Sequence, residues 1–420
     1  MKKVLVITYY WPPSGGAGVQ RWVKFIKYFK DQNINPYIIS VDPDFASYPV
    51  IDNSLINDIP ENTNVYLTKT NEPYSFYRKI NNNQTPYAGF ANEGSPNFFQ
   101  KIARFIRGNF FIPDSRKGWI DFAYKKAIEV LEIENIDTVI TTSPPHSTQL
   151  IGLKLKETLN IKWIADLRDP WTDIYYYKSM LHTKWAKRKD LNYEKGVIEK
   201  SDKIVVVSDS IKQLLINKSN LIQESKIHVI PNGFDEEDFS VSSTNKNNKF
   251  LLSYVGTITK DYPLNSIKKS ITNLNINLEF TGKADHPTKH LLNEIAGFNN
   301  HVKHKESINL LLASDMLLLV IPKIANNKGI LTGKLFEYLG ARKPILCIGP
   351  TDGDAAKIIK ECKAGKTFDY SDENGIYKFI ETCMSNEFIF ENKNYLNYSR
   401  RNLTKTLSKI LNDKVNNEKL

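Results

Sequence analysis

The sequence contains little cysteine, which limits the kind of protein it can encode. Only three cysteines occur among 420 residues (Cys347, Cys362 and Cys383). Their spacing is not typical of a metal-binding pair, and three thiols cannot form the framework of a disulfide-stabilised secreted scaffold. We therefore expect a reducing, cytoplasmic compartment. Hydrophobic residues make up 41% of the chain and charged residues 25%, a balance that indicates a globular protein rather than a disordered one.

Long apolar segments are absent as well. The closest approach, residues 310–322, is interrupted by Asp315, so no segment reaches the ~18 uninterrupted apolar residues of a membrane-spanning helix. The N-terminal run 3–10 is followed by Pro12 and by no small-residue cleavage site, which predicts a first buried strand rather than a signal peptide. We therefore expect neither a spanning helix nor a leader.

Negative charge is in deficit. There are 57 Lys and Arg residues against 46 Asp and Glu, which gives a net charge of +11. Such an excess favours an anionic partner, either phosphorylated small molecules, a membrane surface or nucleic acid, although solubility alone also accounts for it. No nucleic-acid-binding signature accompanies the charge, so we do not expect a nucleic-acid partner.

Short apolar runs alternate with helical patterns, which is typical of parallel α/β folds. The predicted strands are 3–10, 36–41, 138–143, 162–167 and 203–208 in one series, and 250–256, 277–282, 316–321 and 344–349 in another. The polar stretch 229–250 between the two series predicts an interdomain linker. We expect two Rossmann-like domains, 1–235 and 236–395, with a ligand cleft between them, and a helical segment 396–420 that is a candidate to pack back on the first domain.

The predicted first strand leads into a glycine-rich turn, where the backbone can approach a diphosphate closely. Its glycines are Gly15, Gly16 and Gly18. The dinucleotide fingerprint G-x-G-x-x-G is incomplete, because Arg21 replaces the third glycine. Asp42 follows the second strand, where a ribose-binding carboxylate would lie. A nicotinamide-dependent sugar-nucleotide oxidoreductase therefore stays open as an alternative.

The stretch 331–346 predicts a turn at Gly333 followed by a helix that carries Lys334 and Glu337 on one face. Lys334, near the helix N-terminus, suits phosphate oxygens, and Glu337 can accept hydrogen bonds from a ribose diol. A nucleoside diphosphate presents these two groups at about that separation. The alternative interpretation is an ordinary surface ion pair between the two side chains.

The stretch 95–119 combines apolar aromatic residues with cations. Those that we single out are Phe98, Phe99, Lys101, Arg104 and Arg107. A helix with an apolar aromatic face and a cationic face is typical of a membrane interface. The alternative is an amphipathic helix packed on its own domain.

Five motifs, in order and content, resemble the family-4, GT-B-fold retaining glycosyltransferases over nearly the whole chain. They are YYWPPSGGAGVQR (9–21), DLRDPW (166–171), VIPNGFD (229–235), YVGTITKDYP (254–263) and KLFEYLGARKPIL (334–346). The resemblance implies two facing Rossmann-like domains, with a nucleotide-sugar donor held mainly by the second domain and an acceptor mainly by the first. It also implies transfer without a metal or other cofactor and with retention of the anomeric configuration.

The resemblance also implies roles for single residues. Glu337 would hold the ribose and Lys334 the diphosphate, while the loop of Gly15, Gly16 and Gly18 would approach the phosphates or the sugar. Gly256 and Thr257 match the loop after the first strand of the donor domain, and Lys260 would pair with phosphate there. One departure is that Gly329 stands eight positions before Glu337, where the family often has an acidic residue, which leaves the donor sugar undetermined.

In the first domain, charged residues follow two predicted strands, at the strand ends where ligands usually lie. His146 follows the strand 138–143, and Arg168 and Asp169 follow 162–167. Asp169 would orient or deprotonate an acceptor hydroxyl, Arg168 would meet acceptor phosphate or hold Asp169, and His146 would contact either substrate. A turn histidine and a local Arg168–Asp169 ion pair are the structural alternatives.

No metal site is predicted, because the two D-x-D strings, 42–44 and 352–354, are common by chance. We therefore expect a glycosyltransferase of bacterial surface polysaccharide or glycoconjugate synthesis, cytoplasmic or peripheral on the inner face of the membrane. Its expected partners are a nucleotide-sugar, a glycan or lipid-linked acceptor and an anionic membrane surface. A non-catalytic sugar-nucleotide-binding protein is the remaining alternative.

Overall fold

A computed structural model describes residues 1–72, 98–240 and 248–413. The chain divides into two compact units. The first comprises Met1–Ile230 together with the chain from Thr404 onward, and the second comprises Pro231–Leu403. Each unit is built on one parallel sheet, so the prediction of an α/β protein with two such sheets is confirmed.

The first unit contains a seven-stranded parallel sheet. Its strands are β1 (Lys2–Ile7), β2 (Ile34–Val41), β3 (Asn64–Thr68), β4 (Thr138–Ser143), β5 (Lys162–Leu167), β6 (Lys203–Val206) and β7 (Ile227–Val229). Its described helices before the linker are α1 (Ala17–Phe29), α2 (Phe98–Phe110), α3 (Ile120–Glu134), α4 (Ser147–Thr158), α5 (Lys184–Lys200) and α6 (Asp209–Ile216). The central strands are buried on both faces, which is why they are near-continuous apolar runs in the sequence.

The strand order of this sheet is β3-β2-β1-β4-β5-β6-β7. β1 pairs with β2 on one side and with β4 on the other, with Val6 beside Ile38 and Ile140. The order therefore reverses between β1 and β4, and the crevice at such a reversal, at the carboxyl ends of the strands, is where open α/β sheets bind ligands. The glycine-rich turn and the turn that carries His146 both leave the sheet at this point.

The second unit contains a six-stranded parallel sheet of order β10-β9-β8-β11-β12-β13. Its strands are β8 (Phe250–Val255), β9 (Ile276–Thr281), β10 (Ala296–Asn299), β11 (Met316–Val320), β12 (Ile345–Ile348) and β13 (Gly365–Phe368). Its described helices are α7 (Asn265–Ile271), α8 (His286–Leu292), α9 (His304–Ala313), α10 (Gly333–Ala341), α11 (Asp354–Glu361) and α12 (Glu373–Met384). Here the order reverses between β8 and β11.

The last described helix is α13 (Arg400–Asn412). From Thr404 onward it packs on the first unit through Leu407 and Leu411, which are buried. The Lys162 ammonium donates hydrogen bonds to the carbonyl oxygens of Ile410 (2.8 Å) and Leu411 (3.0 Å). A lysine in this position satisfies carbonyl groups that have no partner within the helix.

Within the described residues, no helix combines the length and the apolar character needed to cross a membrane.

Candidate active site

In the first unit, the turns after β4 and β5 place His146 and Arg168 side by side. The His146 ring stacks on Trp171, with 4.6 Å between ring centroids and 11° between planes. Burial and the nearby Arg168 guanidinium lower the pKa of His146 to about 3. His146 is therefore neutral at physiological pH, and no described residue forms a hydrogen bond with its Nδ1 atom.

Arg168 connects the ends of the two strands. Its Nε atom donates to the carbonyl oxygen of Ser143 (2.9 Å), and its Nη2 atom donates to that of Pro144 (3.1 Å). Within the described chain Arg168 forms no ion pair with Asp169, so the local ion pair that the sequence left open is not formed. Burial raises the pKa of Asp169, and the Arg168 charge opposes that rise.

The glycine-rich turn lies against the same two strands. A Cβ atom at Gly18 would lie 2.4 Å from Nη1 of Arg168, so the backbone of this turn approaches the guanidinium closely. Gly16 has a φ of +103° and precedes α1. The N–H group of Gly15 donates to the Val50 carbonyl oxygen (2.9 Å). The structure thus brings together the glycine turn, His146 and Arg168.

The sequence analysis missed a buried polar cluster beneath this edge of the sheet. Asp166 accepts hydrogen bonds from Arg21 Nη2 (3.1 Å), Trp22 Nε1 (2.8 Å) and Thr142 Oγ1 (2.7 Å). Arg21 is 0% exposed and Asp166 1% exposed. The sequence did contain a signal for this cluster. Arg21 and Asp166 are charged residues within apolar helical or strand patterns. The position of the third fingerprint glycine is therefore occupied by one half of a buried ion pair, which anchors α1 to the sheet.

In the second unit, Lys334 stands at the N-terminal end of α10 and points back to the turn after β8. Gly256 in that turn has a φ of +133°, and a Cβ atom there would lie 2.5 Å from Cε of Lys334. The ammonium lies 5.3 Å from the centroid of the Tyr254 ring. Burial lowers the pKa of Lys334. Among the described residues, none accepts a hydrogen bond from its ammonium and none forms an ion pair with it.

Glu337 lies one turn further along α10. Among the described residues it forms no ion pair with Lys334, although each charge partly opposes the effect of burial on the pKa of the other. Its Oε1 atom is 4.0 Å from Nδ1 of His304, and Nε2 of His304 is 3.1 Å from Oδ2 of Asp238. Burial raises the pKa of Glu337. His304 and Asp238 were not assigned to any site from the sequence, because only the packing of α9 and of the short helix Glu236–Phe239 on α10 brings them there.

Gly333, Thr257 and Lys260 were also assigned to the donor site from the sequence. Gly333 is the exposed first residue of α10, and a Cβ atom there would contact nothing within 4 Å. The Thr257 carbonyl oxygen accepts a hydrogen bond from the Tyr254 hydroxyl (2.7 Å). Lys260 is exposed, and its backbone N–H donates to Asp285 (2.8 Å). No described contact joins the side chain of Lys260 to Lys334 or Glu337.

The helix α2 corrects part of the sequence interpretation. Arg104, expected on an exposed cationic face, is only 7% exposed, and Arg107 is half-buried. The helix packs on its unit through the face that carries Arg104, and Lys101 is exposed. The side chains of Phe98 and Phe99 lie outside the described part of the chain.

Metal ligation finds no support among the described residues, where no three His, Cys, Asp or Glu side chains are grouped so that they could hold an ion. Asp42 accepts a hydrogen bond from the backbone of Asp44 (3.0 Å), and Asp352 forms an ion pair with Lys328. Both D-x-D strings are therefore engaged in local contacts.

Comparison with known proteins agrees with this architecture. Residues 87–238 match the family model described as Glycosyltransferase Family 4. No curated protein matches the chain by sequence. Many solved structures match nearly the whole chain, among them the following three, and at their low identities the likeness shows the fold alone.

The first is a glycosyltransferase from Rickettsia africae, 17% identical with a TM-score of 0.62, covering 98% of this chain and 99% of that one. Sucrose-phosphate synthase from Thermosynechococcus elongatus is 11% identical with a TM-score of 0.64, covering 98% of both chains. HepE from Anabaena, in complex with UDP, is 12% identical with a TM-score of 0.61, covering 98% of this chain and 99% of that one.

The fold is thus that of the GT-B glycosyltransferases. Together with the family-model match over residues 87–238, the fold supports the family-4 resemblance drawn from the sequence motifs.

Proposed function

We propose that the protein transfers a sugar, with retention of configuration, from a nucleotide-sugar donor to a glycan or lipid-linked acceptor in the synthesis of a bacterial surface polysaccharide or glycoconjugate. The observation that carries the proposal is the Lys334 ammonium, which has no anionic partner among the described residues and stands at a helix N-terminus beside Gly256. The family-model match and the UDP-bound structure of HepE support it.

Lys334 and α10 suit the diphosphate of the donor. The first N–H groups of a helix have no partner within it, and the helix dipole makes its N-terminus attractive to anions. No side chain caps the N-terminus of α10. A partly buried lysine beside these N–H groups adds a full positive charge, and a diphosphate would remove the electrostatic cost of holding that charge without a partner.

Glu337 suits the ribose of the same donor. A carboxylate accepts two hydrogen bonds from a vicinal diol, and Glu337 lies one turn beyond Lys334 on α10, so one nucleotide can meet both side chains. His304 lies beside Glu337 and is held by Asp238. We infer that His304 fixes the orientation of the carboxylate.

The transfer step needs a stabilised leaving group and a positioned acceptor. The bond from the sugar C1 to the diphosphate oxygen breaks while the acceptor oxygen forms its bond to C1 on the same face, and the acceptor proton passes to the departing phosphate. Lys334 and the N-terminal amides of α10 stabilise the negative charge that develops on the diphosphate. Asp169 orients the acceptor hydroxyl, and the neutral His146 offers it a hydrogen-bond partner.

Replacing Glu337 with glutamine is expected to weaken nucleoside diphosphate binding by ~1.5–3 kcal/mol, the range for a hydrogen bond to a charged group. Because burial raises the pKa of Glu337, wild-type affinity is also expected to fall as the pH falls through that raised pKa, and the variant is expected to lose this dependence. Titration calorimetry across pH measures both effects. Glu381→Gln, an exposed residue of α12, is the matched control. Unchanged affinity in a folded Glu337→Gln variant would refute the ribose assignment.

We further propose that transfer requires no metal or other cofactor, because Lys334 and the amides of α10 supply the positive charge that a divalent cation would otherwise bring to the leaving diphosphate. Turnover is expected to be the same before and after exhaustive treatment with EDTA. A loss that magnesium or manganese restores would contradict this expectation.

The buried Arg21–Asp166 pair argues against the nicotinamide-dependent alternative. A dinucleotide-binding fold needs a glycine at the position of Arg21, because helix and strand pack closely there. Thermal-shift measurements distinguish the two functions: nucleoside diphosphates should raise the melting temperature, and NAD should not. Release of sugar from the donor, to water or to an acceptor, separates an enzyme from a non-catalytic binding protein.

A further inference from the structure

The helix α2 presents an apolar face to solvent. Ile102 (42% exposed), Phe105 (42%), Ile106 (45%) and Phe110 (65%) are spaced so that they share one side of the helix. The opposite side carries the buried Arg104. This arrangement is the reverse of a core helix, in which the phenylalanines would face the domain.

The start of α5 continues this surface. The side chain of Asn109, in the last turn of α2, donates to the Leu181 carbonyl oxygen (3.1 Å) and accepts from the backbone N–H of Thr183 (2.7 Å). Just beyond this junction, Leu181 is 46% exposed and Trp185 is 62% exposed. The two helices are therefore joined at the point where each exposes its apolar residues.

The charges around these apolar residues have one sign. In the described stretches 101–113 and 178–189, every charged side chain is a lysine or an arginine. The exposed ones are Lys101, Lys178, Lys184, Lys187 and Arg188. The Lys189 ammonium lies 5.0 Å from the centroid of the Trp185 ring. Burial and, to a smaller extent, the Lys189 charge lower the pKa of Lys117, so the cationic surface continues toward Lys117, seven positions beyond the end of α2.

We propose that α2 and the start of α5 form one surface that binds an anionic lipid membrane. Exposed aromatic and aliphatic side chains enter the headgroup region, and tryptophan is favoured at that depth. The surrounding cations complement the negative charge of the leaflet. The inference rests on the proposed function in that it names where the enzyme meets a lipid-linked acceptor, but vesicle binding itself requires no catalysis.

Co-sedimentation with vesicles of phosphatidylglycerol and phosphatidylcholine, compared with pure phosphatidylcholine, tests the proposal. The wild type is expected to bind the anionic vesicles and to dissociate as salt rises, because the attraction is screened over ~8–10 Å. The combined Lys184→Gln, Lys187→Gln and Arg188→Gln variant is expected to bind about 100-fold more weakly at low salt, at about fivefold for each of the three cations. Trp185→Ala is expected to weaken binding about tenfold at every salt concentration.

Matched controls keep the test specific. Ile133→Ser changes a 73% exposed apolar residue on α3, and Lys305→Gln, Lys360→Gln and Lys378→Gln together remove three exposed cations of the second unit. Both controls should bind vesicles like the wild type, and all variants should keep the wild-type thermal shift with nucleoside diphosphates. Absence of wild-type binding to anionic vesicles, or equal losses in variants and controls, would overturn the proposal. If nucleoside diphosphates cause no thermal shift in the wild type, the proposed function is overturned instead.

Discussion

Replacing Lys334 with methionine is expected to lower sugar transfer by about 10²–10³-fold, the effect of removing one group that stabilises charge in a transition state. The same substitution is expected to raise the melting temperature of the ligand-free protein. Burial lowers the pKa of Lys334, which means that the folded state disfavours its charged form. A neutral side chain of similar length removes that cost at neutral pH.

The opposite signs of these two effects make the test specific. A residue that only supports the fold would lose activity and stability together, whereas a binding residue held under electrostatic cost gains stability when it is removed. Initial rates with a nucleotide-sugar donor and thermal melts without ligand measure the two effects. Lys378→Met, at an exposed position of α12, should change neither. Retained transfer in Lys334→Met would contradict the role of Lys334 in binding the diphosphate.

Replacing Asp169 with asparagine is expected to lower transfer by about 10²-fold, the effect of misplacing a reacting group, and to leave nucleoside diphosphate affinity unchanged. Asp169 follows β5 in the first unit, beside Arg168, and the donor-binding residues belong to the second unit. Asparagine keeps the shape of the side chain but lacks the negative charge with which the carboxylate orients the acceptor hydroxyl. Steady-state rates and titration calorimetry separate the two effects.

The pH profile adds a second readout for Asp169. Because burial raises its pKa, wild-type turnover is expected to fall as acid protonates the carboxylate at a pH above the ordinary aspartate value of ~3.9. The Asp169→Asn variant should lose this acidic limb. Asp121→Asn, at an exposed residue of α3, should keep it. Parallel losses of donor affinity and turnover in Asp169→Asn would indicate a structural role.

The sequence analysis predicted the central strands of both sheets and missed edge strands. A strand buried on both faces, such as β4, must be an apolar run, and that pattern is visible without a structure. The edge strands β3, β7, β10 and β13 are short and partly exposed, so their composition resembles that of a loop. Nothing local identifies them, because their conformation depends on pairing with a neighbouring strand.

The candidate site shows the same division. Gly333, Lys334 and Glu337 lie within one turn of helix, so their spacing in the chain already gives their spacing in the fold. His304 and Asp238 reach Glu337 from other elements, and no periodicity encodes that contact. The sequence analysis placed Arg104 on the exposed face of α2, and the structure places it on the buried face, for a related reason. An amphipathic pattern gives two faces, and only packing decides which of them is buried.

The measurement that tests the central claim most directly is a thermal-shift panel of nucleoside diphosphates, their sugar conjugates and NAD, run on the wild type, Lys334→Met and Glu337→Gln. We expect at least one nucleoside diphosphate and its sugar conjugate to raise the wild-type melting temperature, with a shift that is lost in Lys334→Met and reduced in Glu337→Gln. No shift with any nucleoside diphosphate, a shift with NAD alone, or equal shifts in all three proteins would contradict a donor site at Lys334 and Glu337.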